Sequence, residues 1–133
     1  YRLMSRIQES PPASITASRT MIENVYTAIL EALRNSDDEI DKAKGDLGKL
    51  HKAVCRELGI DEWAQKIVSG LSSIIYGISE ISNMTGDRHS GNYENVTFEM
   101  AEFIAYIAGS ISVFVYKMFL CKIMKVNKSE CLT

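Results

Sequence analysis

Apolar residues recur at helical spacing in four stretches of the chain. Steps of three and four residues place side chains on one side of a helix, and no stretch shows the two-residue alternation of a half-buried strand. This pattern predicts an all-α fold. The first three stripes are Ile22, Val25, Ile29 and Leu33, then Leu47, Leu50, Val54 and Leu58, then Ile67, Leu71, Ile74, Ile78 and Ile81.

Side chains that cap helices indicate where these helices begin. Ser, Thr, Asp and Asn accept hydrogen bonds from the free N–H groups of a first turn. A short helix is also expected over residues 2–8, ended by the adjacent prolines at 11 and 12. The chain is therefore predicted to be a bundle of four long helices with a short extra N-terminal helix. The predicted caps are Ser14 or Thr16, Asp46, Asp61, and Asn95 or Thr97.

The last predicted helix, which ends near Lys125, is apolar on two sides. A helix that is apolar most of the way round is buried, at the domain centre or in a dimer seam. In the preceding helix, Gly70 and Gly77 each cost ~1 kcal/mol relative to alanine, which suggests that another helix approaches closely. We expect a homodimer packed through these two helices. The two apolar sides are Met100, Phe103, Ile107 and Phe114, and Ile104, Ile111 and Val115.

Length and composition fit a single domain over residues 1–133, and a chain that begins at Tyr1 is compatible with a fragment of a longer protein. Apolar residues make up 46% and charged residues 24%, as in soluble globular proteins. A net charge of -2 argues against binding nucleic acid by bulk electrostatics, but leaves room for a local basic patch. The uncharged run over residues 103–116 is shorter than the ~20 residues of a bilayer span, so no membrane segment is expected.

The cysteines and one of the two histidines offer no metal or cofactor chemistry. Cys55, Cys121 and Cys131 are far apart, with no CxxC motif and no paired histidines. They indicate reduced thiols in a cytoplasmic protein, without a metal or cofactor. His51 lies beside the apolar stripe at Leu50 and is expected to be a partly exposed surface residue.

The polar turn over residues 82–91 is the strongest candidate for a working site. It contains His89; a histidine side chain ordinarily titrates near neutrality, and functional groups concentrate in loops between rigid helices. Asp87 or Asn83 can orient its imidazole, and Arg88 can hold a phosphate. The same residue types also occur in ordinary turns that satisfy two helix ends, and the residues alone slightly favour that structural interpretation.

Several segments carry a resemblance to a known family. Residues 68–71 (Val-Ser-Gly-Leu), the turn over residues 81–90 and an alanine-rich last helix occur in the order found in the abortive-infection C-terminal domain of bacterial defence proteins. That family is a branch of the HEPN helical superfamily. Residues 18–23 and 46–54 also match its upstream segments, so the chain resembles the family over roughly residues 14–119.

The resemblance implies a metal-independent ribonuclease, or an RNA-binding relative, that acts in bacterial defence. In such enzymes an arginine and a histidine face their counterparts across a homodimer cleft. Carried over to this chain, His89 is the acid and base, Asn83 and Asp87 orient it, and Arg88 contacts the phosphate of single-stranded RNA.

The turn departs from the family pattern at an important position. Ser82 stands where the family has its arginine, and Ser90 where it has a glycine. Serine cannot supply a bidentate cation, although Ser82 is retained with Arg88 as a predicted substrate contact. Three interpretations follow: a degenerate RNA-binding domain, an active enzyme that uses Arg88, or a deliberate inactivating substitution. The missing arginine favours the first.

Two further interpretations belong to other classes. The chain can be a non-catalytic dimerisation or regulatory domain of a larger antiphage effector, which the missing arginine also favours. It can also be a helical adaptor unrelated to HEPN proteins, which a buried turn would favour.

Overall fold

The computed structural model describes residues 10–34, 38–60, 64–86 and 97–124. Every regular element in these ranges is a helix, so the predicted all-α fold with four long helices is confirmed. The short fifth helix lies between the first two long ones, and the helix predicted over residues 2–8 lies outside the described residues, as do the predicted caps at positions 61 and 95. The helices are α1 (Pro11–Arg34), α2 (Asp38–Ala43), α3 (Leu47–Leu58), α4 (Gln65–Gly86) and α5 (Phe98–Ile123).

Helix α1 begins earlier than predicted. The two prolines were expected to end a preceding helix, yet they form the first turn of α1. Ser10 caps this turn, because its Oγ accepts from the backbone N–H of Ala13 at 3.4 Å and its carbonyl accepts from Ser14 at 3.0 Å. Proline is tolerated there because first-turn N–H groups have no partner within the helix.

The other described caps agree with the sequence. The Asp46 carboxylate accepts from the backbone N–H of Lys49 at 3.1 Å and begins α3. Gly59 ends α3 with φ 69°, a left-handed conformation that glycine adopts without strain. Thr97 Oγ1 accepts from the backbone N–H of Met100 at 3.2 Å and begins α5.

Helix α1 lies at the centre of the fold. It packs against each of the other four described helices, whereas α4 and α5 both lie against α1 rather than against each other. The dimer seam, one of the two places expected for the last helix, stays a prediction, and the other, the domain centre, is occupied by α1. Helix α1 takes this place because it buries apolar side chains on more than one side, namely Ile15, Ile22, Tyr26, Ile29 and Leu30.

Helices α4 and α5 each bury one face and expose another apolar face. On α4, Ile75 and Ile78 are buried, whereas Ile67, part of the predicted stripe, is 59% exposed. Helix α5 buries Ala101, Ala105, Ala108 and other residues, whereas Phe103 is 63% exposed. Small buried side chains let α5 lie close to α1. The predicted side with Ile104, Ile111 and Val115 is buried. On the other predicted side, Met100 and Phe103 are exposed.

The close helix approach occurs at a different glycine from those predicted. A Cβ atom added to Gly70 or Gly77 meets nothing within 4 Å, so the expected approach at these positions is wrong within the described part of the chain. A Cβ atom on Gly48 lies 3.0 Å from the ring of Tyr76. A larger residue at position 48 would therefore require the Tyr76 ring to shift by a few tenths of an ångström.

His51 is buried, contrary to the prediction of a partly exposed surface residue. Its side chain is 1% exposed, and its Nδ1 lies 2.8 Å from Tyr26 Oη, which satisfies the polar ring inside the core. Burial lowers the pKa of His51 to about 4. Burial, with a smaller contribution from Cys55, raises the pKa of Tyr26.

The cysteines differ from the prediction of three reduced thiols. Cys55 is a buried thiol outside any disulfide and lies beside His51, whereas Cys121 is disulfide-bonded. The prediction is therefore wrong for Cys121, and the cytoplasmic location that was partly based on it stays a prediction.

Among the described helices, α5 alone is long and apolar enough to cross a membrane. A core helix of a soluble protein passes the same test of length and composition, so this observation is weak evidence for a span. The expectation of no membrane segment stays a prediction.

Candidate functional site

The described structure includes two of the five predicted site residues. Ser82 and Asn83 lie near the C-terminal end of α4. Asp87, Arg88 and His89 lie outside the described residues, so their roles stay predictions.

Ser82 and Asn83 face in different directions, because successive side chains are about 100° apart on a helix of 3.6 residues per turn. Ser82 is 4% exposed and extends the buried face that includes Ile75 and Ile78. Asn83 is exposed. The polar group that α4 presents at the surface is therefore Asn83, and burial does not favour the predicted contact of Ser82 with substrate.

Asn83 accepts a hydrogen bond from an arginine of α1 that is not among the predicted site residues. Arg19 Nη1 donates a hydrogen bond to Asn83 Oδ1 at 3.1 Å across a separation of 64 residues. Arg19 Nη2 donates to the carbonyl of Gly45 at 3.1 Å, and Nε lies 2.9 Å from Glu23 Oε1. One guanidinium thus joins α1, the α2–α3 connection and the end of α4.

This guanidinium has hydrogen-bonding capacity beyond its contacts with protein. Arginine has five N–H donors, and two of them donate to Asn83 and Gly45, one from Nη1 and one from Nη2. Nη1 and Nη2 each keep a second N–H for a ligand, whereas the buried Nε lies beside Glu23 without a hydrogen bond. Its side chain is 20% exposed, which leaves it accessible from solvent. Glu23 offsets part of the charge, and the C-terminal end of α4 favours a cation. The arrangement provides a fixed cation beside the polar turn.

Little in the sequence pointed to Arg19. With Glu23 it forms an (i, i+4) pair, which is common on helix surfaces. It also lies in the segment over residues 18–23 that resembles the family, but that match concerned the helix and not the site. The contact with Asn83 depends on how α4 packs on α1, which no local spacing reveals.

Comparison with protein families decides the class of the domain. The model of the HEPN-like domain family, Abi_C, matches residues 1–119. The chain belongs to this HEPN-like family. The resemblance found from the sequence is therefore confirmed, and the family name connects the HEPN-like domain with abortive infection. No curated protein and no solved structure matches the chain.

Within this HEPN-like domain, the described part of the candidate site consists of Asn83, Arg19 and their neighbours Glu23 and Gly45. The replacement of the motif arginine by Ser82 stays a prediction. Position 82 is a serine in this chain, and the guanidinium of Arg19 contacts Asn83, the next residue along α4.

Proposed function

We propose that this HEPN-like domain is an RNA-directed module of bacterial antiphage defence that cleaves single-stranded RNA without a metal ion. The observation that carries the proposal is the hydrogen bond from Arg19 to Asn83, which fixes a cation at the predicted motif. Arg19 thereby offsets the absence of an arginine at position 82. This contact favours an active enzyme over a degenerate RNA-binding relative.

In the proposed reaction, the RNA supplies its own nucleophile. His89 takes the proton of a 2′-hydroxyl as that oxygen attacks the adjacent phosphorus. The bond from phosphorus to the 5′-oxygen breaks, and the proton passes to the leaving oxygen. The products are a 2′,3′-cyclic phosphate and a 5′-hydroxyl. General acid–base help of this kind is worth ~10²–10⁴-fold in rate.

Arg19 stabilises the charge that develops on the phosphate. The second N–H groups of its Nη1 and Nη2 suit the non-bridging oxygens. Hydrogen bonds to Asn83 and Gly45 and the ion pair with Glu23 hold the guanidinium in place before RNA binds. In this scheme Asn83 positions Arg19, and Asp87 orients His89. Arg88 supplies a second contact with the RNA backbone.

Cleavage of a fluorescent single-stranded RNA in the presence of EDTA tests this proposal. We expect His89→Ala to lower the rate by roughly 10²–10⁴-fold. Arg19→Ala should lower it by roughly 10²–10³-fold, the cost of removing one preorganised donor in other enzymes. Arg19→Lys should fall between Arg19→Ala and the wild type, because lysine keeps the charge but cannot reproduce the three fixed contacts.

Lys66→Ala is the matched control, since it removes an exposed positive charge from α4, far along the helix from Asn83. Its rate should equal that of the wild type, and circular dichroism should show that all variants are folded. Unchanged cleavage by His89→Ala would reject the catalytic assignment, and unchanged cleavage by Arg19→Ala would remove Arg19 from the site. Binding without cleavage by the wild type would identify a degenerate relative.

A second candidate, a non-catalytic dimerisation or regulatory domain, is favoured by the exposed apolar faces of α4 and α5. Large apolar side chains at the surface mark interaction sites when they form contiguous patches. Ile67 on α4 and Phe103 and Tyr106 on α5 are more than half exposed. This function predicts self-association without any RNA cleavage, so the cleavage assay separates the two candidates.

A further inference from the structure

A groove on the α2–α3 side of the bundle is rich in basic side chains. Its volume is about 310 Å³, and four basic side chains line it: Lys42, Lys49, Lys52 and Arg56. Its apolar lining includes Leu30 and Ile40, and no acidic side chain of the described residues lines it. In a chain with a net charge of -2, this is a local concentration of positive charge.

Helix α3 presents three of these cations on one face. Lys49, Lys52 and Arg56 are separated by three and four residues, which places them in a row about 10 Å long at 1.5 Å per residue. All three are exposed. The row therefore matches an extended anion better than a single small one.

Among the described side chains, no carboxylate forms an ion pair with a lysine of the groove. Lys44 is a useful contrast, because its Nζ lies 3.3 Å from Glu31 and 3.4 Å from Asp41, and these hydrogen bonds raise its pKa. No such ion pair holds Lys42, Lys49 or Lys52 within the described part of the chain. Like charges that share a groove raise the local potential and attract a polyanion.

The groove is linked to the candidate site through one short connection. Gly45 lies between Lys42 at the end of α2 and Lys49 in the first turn of α3. The carbonyl of Gly45 accepts from Arg19, which also donates to Asn83. The hydrogen bonds of Arg19 therefore connect Asn83 to the segment that joins the two helices of the groove.

We propose that this groove binds backbone phosphates of the single-stranded RNA whose cleavage site lies at the turn after α4. The inference rests on the proposed function, because the RNA is the same substrate. Lysine contacts with phosphates carry no sequence information, so the groove adds affinity and sets the path of the strand without choosing its sequence.

The test uses RNA that the protein cannot cleave, a fluorescent 20-mer with 2′-O-methyl groups, and follows binding by anisotropy at several salt concentrations. The double variant Lys49→Ala/Lys52→Ala should bind roughly tenfold more weakly at low salt. Its salt dependence should fall by ~1.4 in slope, since each phosphate contact on a single strand contributes ~0.7. The loss should be the same for RNAs of different sequence.

Lys66→Ala/Lys117→Ala is the control, because it removes the same charge from exposed lysines of α4 and α5 outside the groove. It should keep the affinity and the slope of the wild type. Lys49→Arg/Lys52→Arg should also keep them, which separates loss of charge from disturbance of α3. Circular dichroism checks that each variant is folded.

The outcomes separate this inference from the proposed function. If the wild type binds RNA and the groove variant binds equally well, the groove is not part of the RNA path, although the proposed function stands. If the wild type neither binds nor cleaves RNA, both fail. If inorganic pyrophosphate displaces the RNA at concentrations as low as those of competitor RNA, the groove is a site for a small phosphate compound, and the inference is overturned.

Discussion

At the scale of single residues, position along the chain did not show which polar side chains are buried. His51 sits next to Leu50 at the border of an apolar stripe, so the sequence allowed either burial or exposure. Burial depends on Tyr26, whose hydroxyl lies 2.8 Å from His51 Nδ1. A buried polar group that keeps a hydrogen bond avoids a cost of ~1–3 kcal/mol. Local spacing does not reveal a hydrogen-bond partner that lies on another helix. The hydrogen bond between Arg19 and Asn83 could not be predicted for the same reason.

His51 should make the domain less stable in mild acid. Its pKa is about 4 in the folded protein and 6.5 in a model peptide, so between these values the unfolded chain binds more protons. The free energy of unfolding should therefore fall as the pH decreases from 6.5 to 4, by up to about 3 kcal/mol. Urea unfolding at a series of pH values measures this change.

His51→Gln is the control for this experiment, because glutamine does not titrate and can still bond to Tyr26. Its free energy of unfolding should depend less on pH over the same window, and the difference between the two proteins isolates His51 from His89. Identical pH profiles for the two proteins would mean that His51 is not held neutral in the core.

At the scale of helices, periodicity identified the helices but not always their buried faces. On α4 the predicted stripe is confirmed at Ile78, which is buried, and at Leu71 and Ile81, which pack against the core. Ile67 and Ile74 of the same stripe are exposed, and Ile75 is buried although it was not part of the stripe. Apolar residues cover more than half of the circumference of this helix. Several rotations of the helix about its axis would therefore bury an apolar stripe equally well. The apolar stripe on α3 is narrower, so only one face of that helix could be the buried one. Its residues Leu47, Leu50 and Val54 are buried as predicted.

Two glycines in helices should respond differently to alanine. Gly70→Ala should raise the free energy of unfolding by about 0.5–1 kcal/mol, because alanine favours the helix and its Cβ meets nothing within 4 Å. Gly48→Ala should gain less or lose stability, because its Cβ lies 3.0 Å from the Tyr76 ring. Chemical unfolding of both variants at low protein concentration measures the difference.

Adding Tyr76→Ala to both the wild type and Gly48→Ala completes a double-mutant cycle. Without the ring, Gly48→Ala should show most of the gain expected for Gly70→Ala. An equal gain for the two single alanine variants would show that α3 and α4 do not approach closely at Gly48.

At the scale of the whole molecule, the fold could be predicted better than the site. Four amphipathic helices with short connections leave few arrangements, and the family resemblance narrowed them further. The site depends on contacts between distant segments. Asn83 could be predicted because it lies in the polar turn. Its contact with Arg19 depends on the packing of α4 against the central helix α1. The predicted roles of Asp87, Arg88 and His89 await the cleavage assay.

The outward apolar faces of α4 and α5 predict a homodimer. Phe103, Tyr106 and Val113 are spaced by three and seven residues, so they share one face of α5, and each is more than half exposed. Burial of such a face stabilises an assembly by roughly 25 cal/mol per Å² of apolar surface, before the costs of association. Light scattering at micromolar concentration should therefore give the mass of a dimer.

Phe103→Glu should raise the dissociation constant of the dimer tenfold or more, because the dimer seam would have to bury an unpaired carboxylate. Its helical content should not change, since Phe103 is 63% exposed in the single chain. Met124→Glu is the control, because it introduces the same charge at an exposed apolar position just beyond α5. A wild-type protein that is monomeric at micromolar concentration would contradict the dimer. It would also mean that the His89 side chains of two copies do not share a cleft. Any RNA cleavage would then have to come from the site of a single copy.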